Sequence, residues 1–134
     1  MGLHRALFQG CDISQATFQE CDLRNAIFEN AKAENTDFRL ASLMNANFRG
    51  AVLTNSIFVQ ARPIATNFNN ADLSCANFTG ADVGFSTFTG TVLKGAVMLC
   101  KRIDEADFRS AWFDSKTQWP PGFDPIQKGA IKVD

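Results

Sequence analysis

The groups able to do chemistry in this chain are few and scattered. His4 is the only histidine, and a nucleophile, base and orienter assembly needs a proton acceptor held in a cleft, not one near a loose chain end. Cys11, Cys21, Cys75 and Cys100 invite a disulfide or a zinc site, but no CxxC motif or histidine pair accompanies them. Asp12, Asp22, Asp72, Asp82 and Asp107 stand singly, whereas general acid–base work needs two carboxylates that converge. No catalytic, cofactor-binding or metal-ligating residue is assigned, and no enzyme is expected. Thirteen basic residues against fourteen acidic ones leave a formal charge of -1. That balance creates no attractive field for direct nucleic-acid contact or for an anionic membrane. The apolar runs are too short to insert across a bilayer, and no charged-then-apolar leader opens the chain.

The elements that position these groups are visible in a composition of 13 Phe and no Tyr, a bias that signals a repeat. A period of five runs from Ala6 to Ser115 without insertion or deletion. Each unit has a large apolar centre, Phe8, Ile13, Phe18, Leu23, Phe28 and onward to Phe113, with Ala33 and Pro63 the poorest. Two places before each centre stands a small residue, such as Ala6, Cys11, Ala16, Cys21 or Ala26; Lys101 alone breaks that rule. Five-residue spacing fits neither a helical stripe nor simple strand alternation. It fits a short extended segment followed by a turn. The small residue and the centre then point to one side, and the neighbours of the centre to the other. The fifth position is rich in Gly and Asn, including Gly10, Asn25, Asn30 and Gly50, which tolerate positive φ in tight turns.

The number of sides follows from the centres. Phe stands at positions 8, 18, 28, 38, 48, 58, 68, 78, 88 and 108, with aliphatics mostly between. A three-sided coil of fifteen residues would stack Phe on aliphatic at every level. Coils of ten or twenty keep like on like, and twenty leaves more room for rings. Phe8, Phe28, Phe48, Phe68, Phe88 and Phe108 then form one column. Phe18, Phe38, Phe58, Phe78 and Met98 form the opposite one, suited to offset stacking. The reading is an all-β, quadrilateral parallel β-helix, a solenoid of about five and a half coils and roughly 26 Å at about 4.8 Å per coil. It covers 6–115, between an N-terminal lead-in at 1–5 and a C-terminal capping segment and tail at 116–134.

Both ends of such a rod need covers. Trp119, Phe123 and the segment from Pro125 to Ile131 are assigned to the C-terminal end, where that segment could form a short helix starting at Pro125. At the other end Leu3 sits in centre register with little ahead of it, so the first coil is expected to be open. Three outcomes fit: a monomer, a homodimer through that coil, or a precursor already trimmed.

Units such as Ala71-Asp72-Leu73-Ser74-Cys75 and Ala76-Asn77-Phe78-Thr79-Gly80 resemble the A(D/N)LXX motif of the pentapeptide-repeat family, over 6–115. The resemblance implies a right-handed quadrilateral β-helix and says little of function, since the family's roles are diverse. The tail from Trp119 to Pro125 is similar to the C-terminal ends of cyanobacterial and chloroplast-lumen members. Free thiols suit the cytoplasm, and the tail keeps the thylakoid lumen open if a leader has been removed. Some family members are DNA mimics that inhibit or protect DNA gyrase through a strongly acidic face. This chain departs from that pattern, because its charge is near zero and Arg24, Arg39, Arg49, Arg62 and Arg109 interrupt its faces.

The repeat also places the irregular residues. Cys11 and Cys21 take small inward slots on opposite sides, while Cys75 and Cys100 fall at corners about 9 Å apart, beyond the roughly 7 Å limit of a bridge. Four free thiols are expected. Pro63 removes a ladder N–H and should mark a local defect. Lys101 implies either a distorted coil near 99–105 or a stem that snorkels to an end. Among outward residues, Ile57, Val59, Val97 and Leu99 fall on one face, with Leu40 at its corner. Met44, Ile64 and Phe85 fall on the next, beside Arg62. Leu40, Met44, Ile57, Val59, Ile64 and Phe85 form the candidate partner surface around a shared edge. The expectation is a non-catalytic structural or interaction protein that binds an unidentified protein partner.

Overall fold

The chain returns to the same place every twenty residues. In the computed structural model, which describes residues 1–134, parallel bridges join Leu7 to Ile27, Ile27 to Asn47, Asn47 to Asn67 and Asn67 to Thr87. The other three sides repeat that step, from Asp12 to Lys32, Thr17 to Asp37 and Asp22 to Ser42. Of 86 backbone hydrogen bonds, 85 lie outside regular helices and strands, because each side is one bridge wide before the chain bends. Four sides therefore make one coil, the longer of the two coils that keep like on like in the Phe columns. Side one carries the centres Leu3, Leu23, Leu43, Pro63, Val83 and Ile103, and sides two, three and four begin with Phe8, Ile13 and Phe18.

The bend has a single chemistry. The N–H of most small residues donates to the centre carbonyl three places back, as from Ala51 to Phe48 at 3.0 Å and Ala71 to Phe68 at 3.0 Å. The third residue of that turn must take positive φ, and Gly50 does so at 68°, Asn70 at 61°. At Gly50 a second reason applies: a Cβ there would collide with Oδ1 of Asn30, one coil below.

Inside the shaft the rings form two interlocking columns. Phe28 stacks on Phe48 at 4.5 Å between centroids and Phe48 on Phe68 at 5.2 Å, nearly parallel. The column on side four does the same, with Phe38 on Phe58 at 4.9 Å. Across the shaft the columns meet edge to face, Phe48 lying 5.4 Å from Phe38 at 89°. Both geometries favour the ring quadrupoles. Hydroxyls in the small slots are satisfied within the wall: Thr66 and Thr91 donate to the carbonyls of Leu43 and Phe68 at 2.7 and 2.8 Å.

Three features depart from the regular pattern. Pro63 lacks the N–H for its column, and the bridge between Arg62 and Asp82 is missing, which is the local defect expected of it. The turn of that unit closes through a side chain instead. The Thr66 N–H donates to Ser86 Oγ at 2.9 Å, and that hydroxyl donates to the Pro63 carbonyl.

The period is not unbroken to Ser115. Asp82 bridges to Lys101, nineteen residues on, and Val97 to Gln118, twenty-one on. Lys101 is not in the small inward slot; it has slid to an exposed outward place, which spares the shaft an unpaired ammonium. Arg102 absorbs the slip at φ 56°, and the 3-10 turn Ile103–Glu105 restores register, with Thr87 bridging to Asp107.

The cap contains no helix. Pro125 to Gly129 make only a turn, with Lys128 N–H donating to Pro125 and Gly129 N–H to Ile126. Gly129 at φ 89° then redirects the chain, and β2 (Ile131–Lys132) pairs in parallel with β1 (Trp112–Phe113). Continuing a helix would forfeit those ladder bonds. The aromatic part of the cap lies where expected: Trp119 packs edge-on against Phe108 at 5.4 Å and Phe113 at 5.6 Å, and Phe123 against Phe108 at 5.6 Å. At the opposite end residues 1–5 already make a side of the coil, with Gly2 bridged to Asp22 and Leu3 N–H bonded to the Asp22 carbonyl at 2.7 Å.

Candidate interaction surface

The outward residue before each centre does local work. The side-chain oxygens of Asp12, Asn47, Asn67, Asp72 and Asn77 accept the N–H two residues on, at 2.8 to 3.0 Å. This is why the repeat takes Asp or Asn there: both offer an acceptor on a short stem that closes the turn. Three of the units with Asp put Arg two places later. Arg24, Arg39 and Arg109 clamp Asp22, Asp37 and Asp107 at 2.7, 2.7 and 2.6 Å, and each guanidinium holds its carboxyl below the usual carboxylate range. The aspartates are solvated turn caps with their own counter-ions, not paired acids.

Stability should follow the titration of these carboxyls. Their folded pKa values are depressed below about 3.9, the unfolded value, so the unfolded chain takes up protons first on acidification. Their contribution is present above the unfolded value and is lost as pH falls through the folded ones. Thermal melts followed by circular dichroism should give a flat melting temperature from pH 7 to 5 and a decline below about pH 4. A melting temperature that rises below that pH would contradict this account.

Side one holds the most elaborate surface cluster. Burial pushes the Asp82 carboxyl up, but Arg102 and the Gly84 N–H outweigh it and hold it below its ordinary value. Arg102 Nε and Nη2 donate to Asp82 at 2.7 and 3.0 Å, and its guanidinium carbon stands 5.6 Å from the Phe85 ring centre, within cation–π range. A Cβ on Gly84 would collide with that guanidinium, so the glycine lets Arg102 lie flat across the face. The sequence reading named Phe85 as an apolar residue and missed its partner. The available signal was Gly84, a glycine beside a centre where longer side chains are usual.

The six candidate residues wrap two sides. Ile57 and Val59 lie half-buried on side four, and Leu40 is next to them at the corner, its N–H bonded to the Val59 carbonyl at 3.2 Å. Met44 and Ile64 follow one above the other on side one, and Phe85 occupies its far corner. Leu40, Met44 and Phe85 are 47%, 37% and 62% exposed. Between the two apolar groups runs the polar column of Ser42, Arg62 and Asp82. Ser42 and Arg62, with Asp22, Arg24 and Met44, line a shallow depression on side one. The structure thus brings Met44 and Ile64 together, and Leu40 with Val59, and sets a charged strip between the pairs.

The comparisons with known proteins bear on this rod directly. The sequence matches the description "Pentapeptide repeat region" over 1–63 and "Pentapeptide repeats (8 copies)" over 46–84, 64–95 and 71–115. The chain belongs to the pentapeptide-repeat family. A pentapeptide-repeat protein of the Arabidopsis thaliana thylakoid lumen is similar in structure, with a TM-score of 0.66 at 26% identity over 94% of this chain and 81% of that one. The pentapeptide-repeat protein Rfr23 of the cyanobacterium Cyanothece 51142 gives 0.67 at 14% identity, over 84% and 87%. QnrB1, a plasmid-mediated fluoroquinolone resistance protein, gives 0.55 at 22% identity, over 99% and 70%. Comparison with curated sequences gives no match.

In this pentapeptide-repeat chain no three of the His, Cys, Asp and Glu side chains gather as metal ligands would. The four cysteines are free. Burial pushes the Cys100 thiol up to about 12, which keeps it protonated and unreactive. No helix is long and apolar enough to cross a membrane.

Proposed function

We propose that this chain is a right-handed quadrilateral β-helix of about five and a half coils that serves as a non-catalytic scaffold. It binds another protein through the outward faces of sides four and one. The observation that carries this reading is the set Leu40, Met44, Ile57, Val59, Ile64 and Phe85, turned outward from a shaft already filled by Phe, Leu and Ala. Apolar groups on both sides of a polar column offer a partner contact area together with hydrogen-bonding groups. Four free thiols suit a reducing compartment, so the cytoplasm is the proposed location; a lumenal one requires a leader.

Ile57→Glu and Ile64→Glu test it, since both side chains point away from the core. Each is expected to keep the wild-type circular dichroism spectrum and to lose at least about tenfold in partner recovered by quantitative pulldown. Undiminished recovery with both variants would remove this surface from consideration. The gyrase-mimic alternative needs a coherent negative field, which the clamped Asp22, Asp37, Asp82 and Asp107 do not supply.

A further inference from the structure

Side one carries two outward columns, one on each flank of its centres. The first runs Asp22, Ser42, Arg62 and Asp82, with Asp22 bridged to Ser42 and Ser42 to Arg62. The second runs Arg24, Met44, Ile64 and Gly84. Ser42 is the shortest side chain of the first column, so a notch opens over it between longer neighbours. Asp22, Arg24, Ser42, Met44 and Arg62 line this notch, which encloses about 300 Å³. Two of its donors are uncommitted. Arg62 enters no ion pair, because the carboxylates to either side are already taken. Arg24 holds Asp22 through bonds of 2.8 and 2.7 Å, and Arg102 holds Asp82 at 2.7 and 3.0 Å. The Ser42 hydroxyl is in none of the side-chain hydrogen bonds of this face. One carboxylate against two guanidinium groups leaves the notch a surplus of one positive charge.

The geometry points to this notch as the seat for the carboxylate of a Glu or Asp side chain on the partner protein. The inference rests on the reading of side one as part of the partner surface. A guanidinium donates two parallel N–H bonds to a carboxylate, and the fork of Arg62 is free to do so. Arg24 lies two levels away, about 10 Å along the rod, so cationic side chains border the notch from both directions, with the Ser42 hydroxyl on its floor. Size and charge then choose among anions. The volume is at the lower limit for a small-molecule pocket, and the notch is shallow, which suits one side chain of a larger body better than a free metabolite. A carboxylate brings a single negative charge and cancels the surplus. A phosphate monoester brings nearly two, and its second charge would be repelled by Asp22. Met44 and Ile64 on the adjoining column favour apolar residues beside the acid.

Three capped tripeptides test it: acetyl-Leu-Glu-Leu-amide, its Gln counterpart and its phosphoserine counterpart. Each is titrated at pH 7 and low salt into the full chain, with the arginine Nε–H signals followed by NMR. The Glu peptide should shift the Arg62 signal saturably and bind about tenfold more tightly than the Gln peptide, with the phosphoserine peptide weaker than Glu. Arg62→Gln should erase the preference for Glu. Ser42→Leu, which fills the notch without changing its charge, should erase it too. Both positions face outward, and an unchanged circular dichroism spectrum shows the rod intact. Equal binding of the Glu and Gln peptides, tightest binding of phosphoserine, or a preference that survives Ser42→Leu would each overturn the inference. The side-face reading fails separately. Undiminished pulldown by the Ile57 and Ile64 variants removes the apolar surface while a Glu preference keeps the notch, and the converse result removes the notch alone.

Discussion

Phe48→Ala is expected to lower the free energy of unfolding by about 3–5 kcal/mol, the largest effect of any single truncation in the shaft. Phe48 is fully buried and touches rings above, below and across, at 5.2, 4.5 and 5.4 Å. Its coil is held by rigid backbone on four sides, so the wall cannot collapse into the void, and the cavity part of the cost is retained. Phe8 is the internal control. It has a ring above it, Phe28 at 5.0 Å, but none below, and it is only half-buried. Phe8→Ala should cost about 1–2 kcal/mol. Urea titrations followed by circular dichroism measure both. Equal losses at the two positions would mean that the stacked column is not what stabilises the rod.

Ser86→Ala is expected to cost about 2–3 kcal/mol, whereas Ser56→Ala should cost less than about 1. The two serines sit in equivalent small slots and are equally buried, at 1% exposure. Ser56 Oγ donates to the Leu53 carbonyl at 2.6 Å, but that carbonyl already receives the Ser56 N–H at 3.1 Å, so deleting the hydroxyl orphans nothing. Ser86 instead is inserted into the Pro63 turn, between the Thr66 N–H and the Pro63 carbonyl. Its removal leaves a buried donor and a buried acceptor unpaired, which costs far more than a lost hydrogen bond between satisfied groups. Matched denaturation curves for the two variants would decide it, and indistinguishable midpoints would show that the turn closes without the hydroxyl.

The regular part of this fold was legible because one side chain type does one job at each position. Phe at alternate centres required like-on-like stacking, and the ring columns deliver it; Gly and Asn at each fifth place required positive φ, and Gly50 and Asn70 adopt it. The slip near Lys101 was not legible as a change of register. The residue lost before Lys101 is recovered by the turn at Ile103–Glu105, so Ala106 and Phe108 fall back in phase and the spacing looks intact. Only the charge in a small slot betrayed it. The cap was misread for a related reason: Pro125 suggested a helix start, but Gly129 and the free edge at Trp112 and Phe113 favoured a strand. On the surface, the period placed Leu40, Met44, Ile57, Val59, Ile64 and Phe85 on their sides. The Asp82–Arg102–Phe85 cluster stayed hidden because the same slip carries Arg102 onto that face.

The sameness of successive coils has a consequence for how this chain reaches its native form. A segment that skipped a level and paired forty residues away would still stack Phe on Phe, Leu on Leu. Closing a loop of forty residues instead of twenty is disfavoured by only about 0.6 kcal/mol, too little to prevent it. What discriminates is the handful of odd units. Ala33, Pro63 with its Ser86 hydroxyl, Met98 and the Lys101 slip each suit one neighbour only, so a skipped level would meet a void, an unmatched donor or a misplaced charge. The imperfections of the repeat act as alignment marks, and a more uniform version of this rod would be more prone to kinetic traps on the way to its native threading.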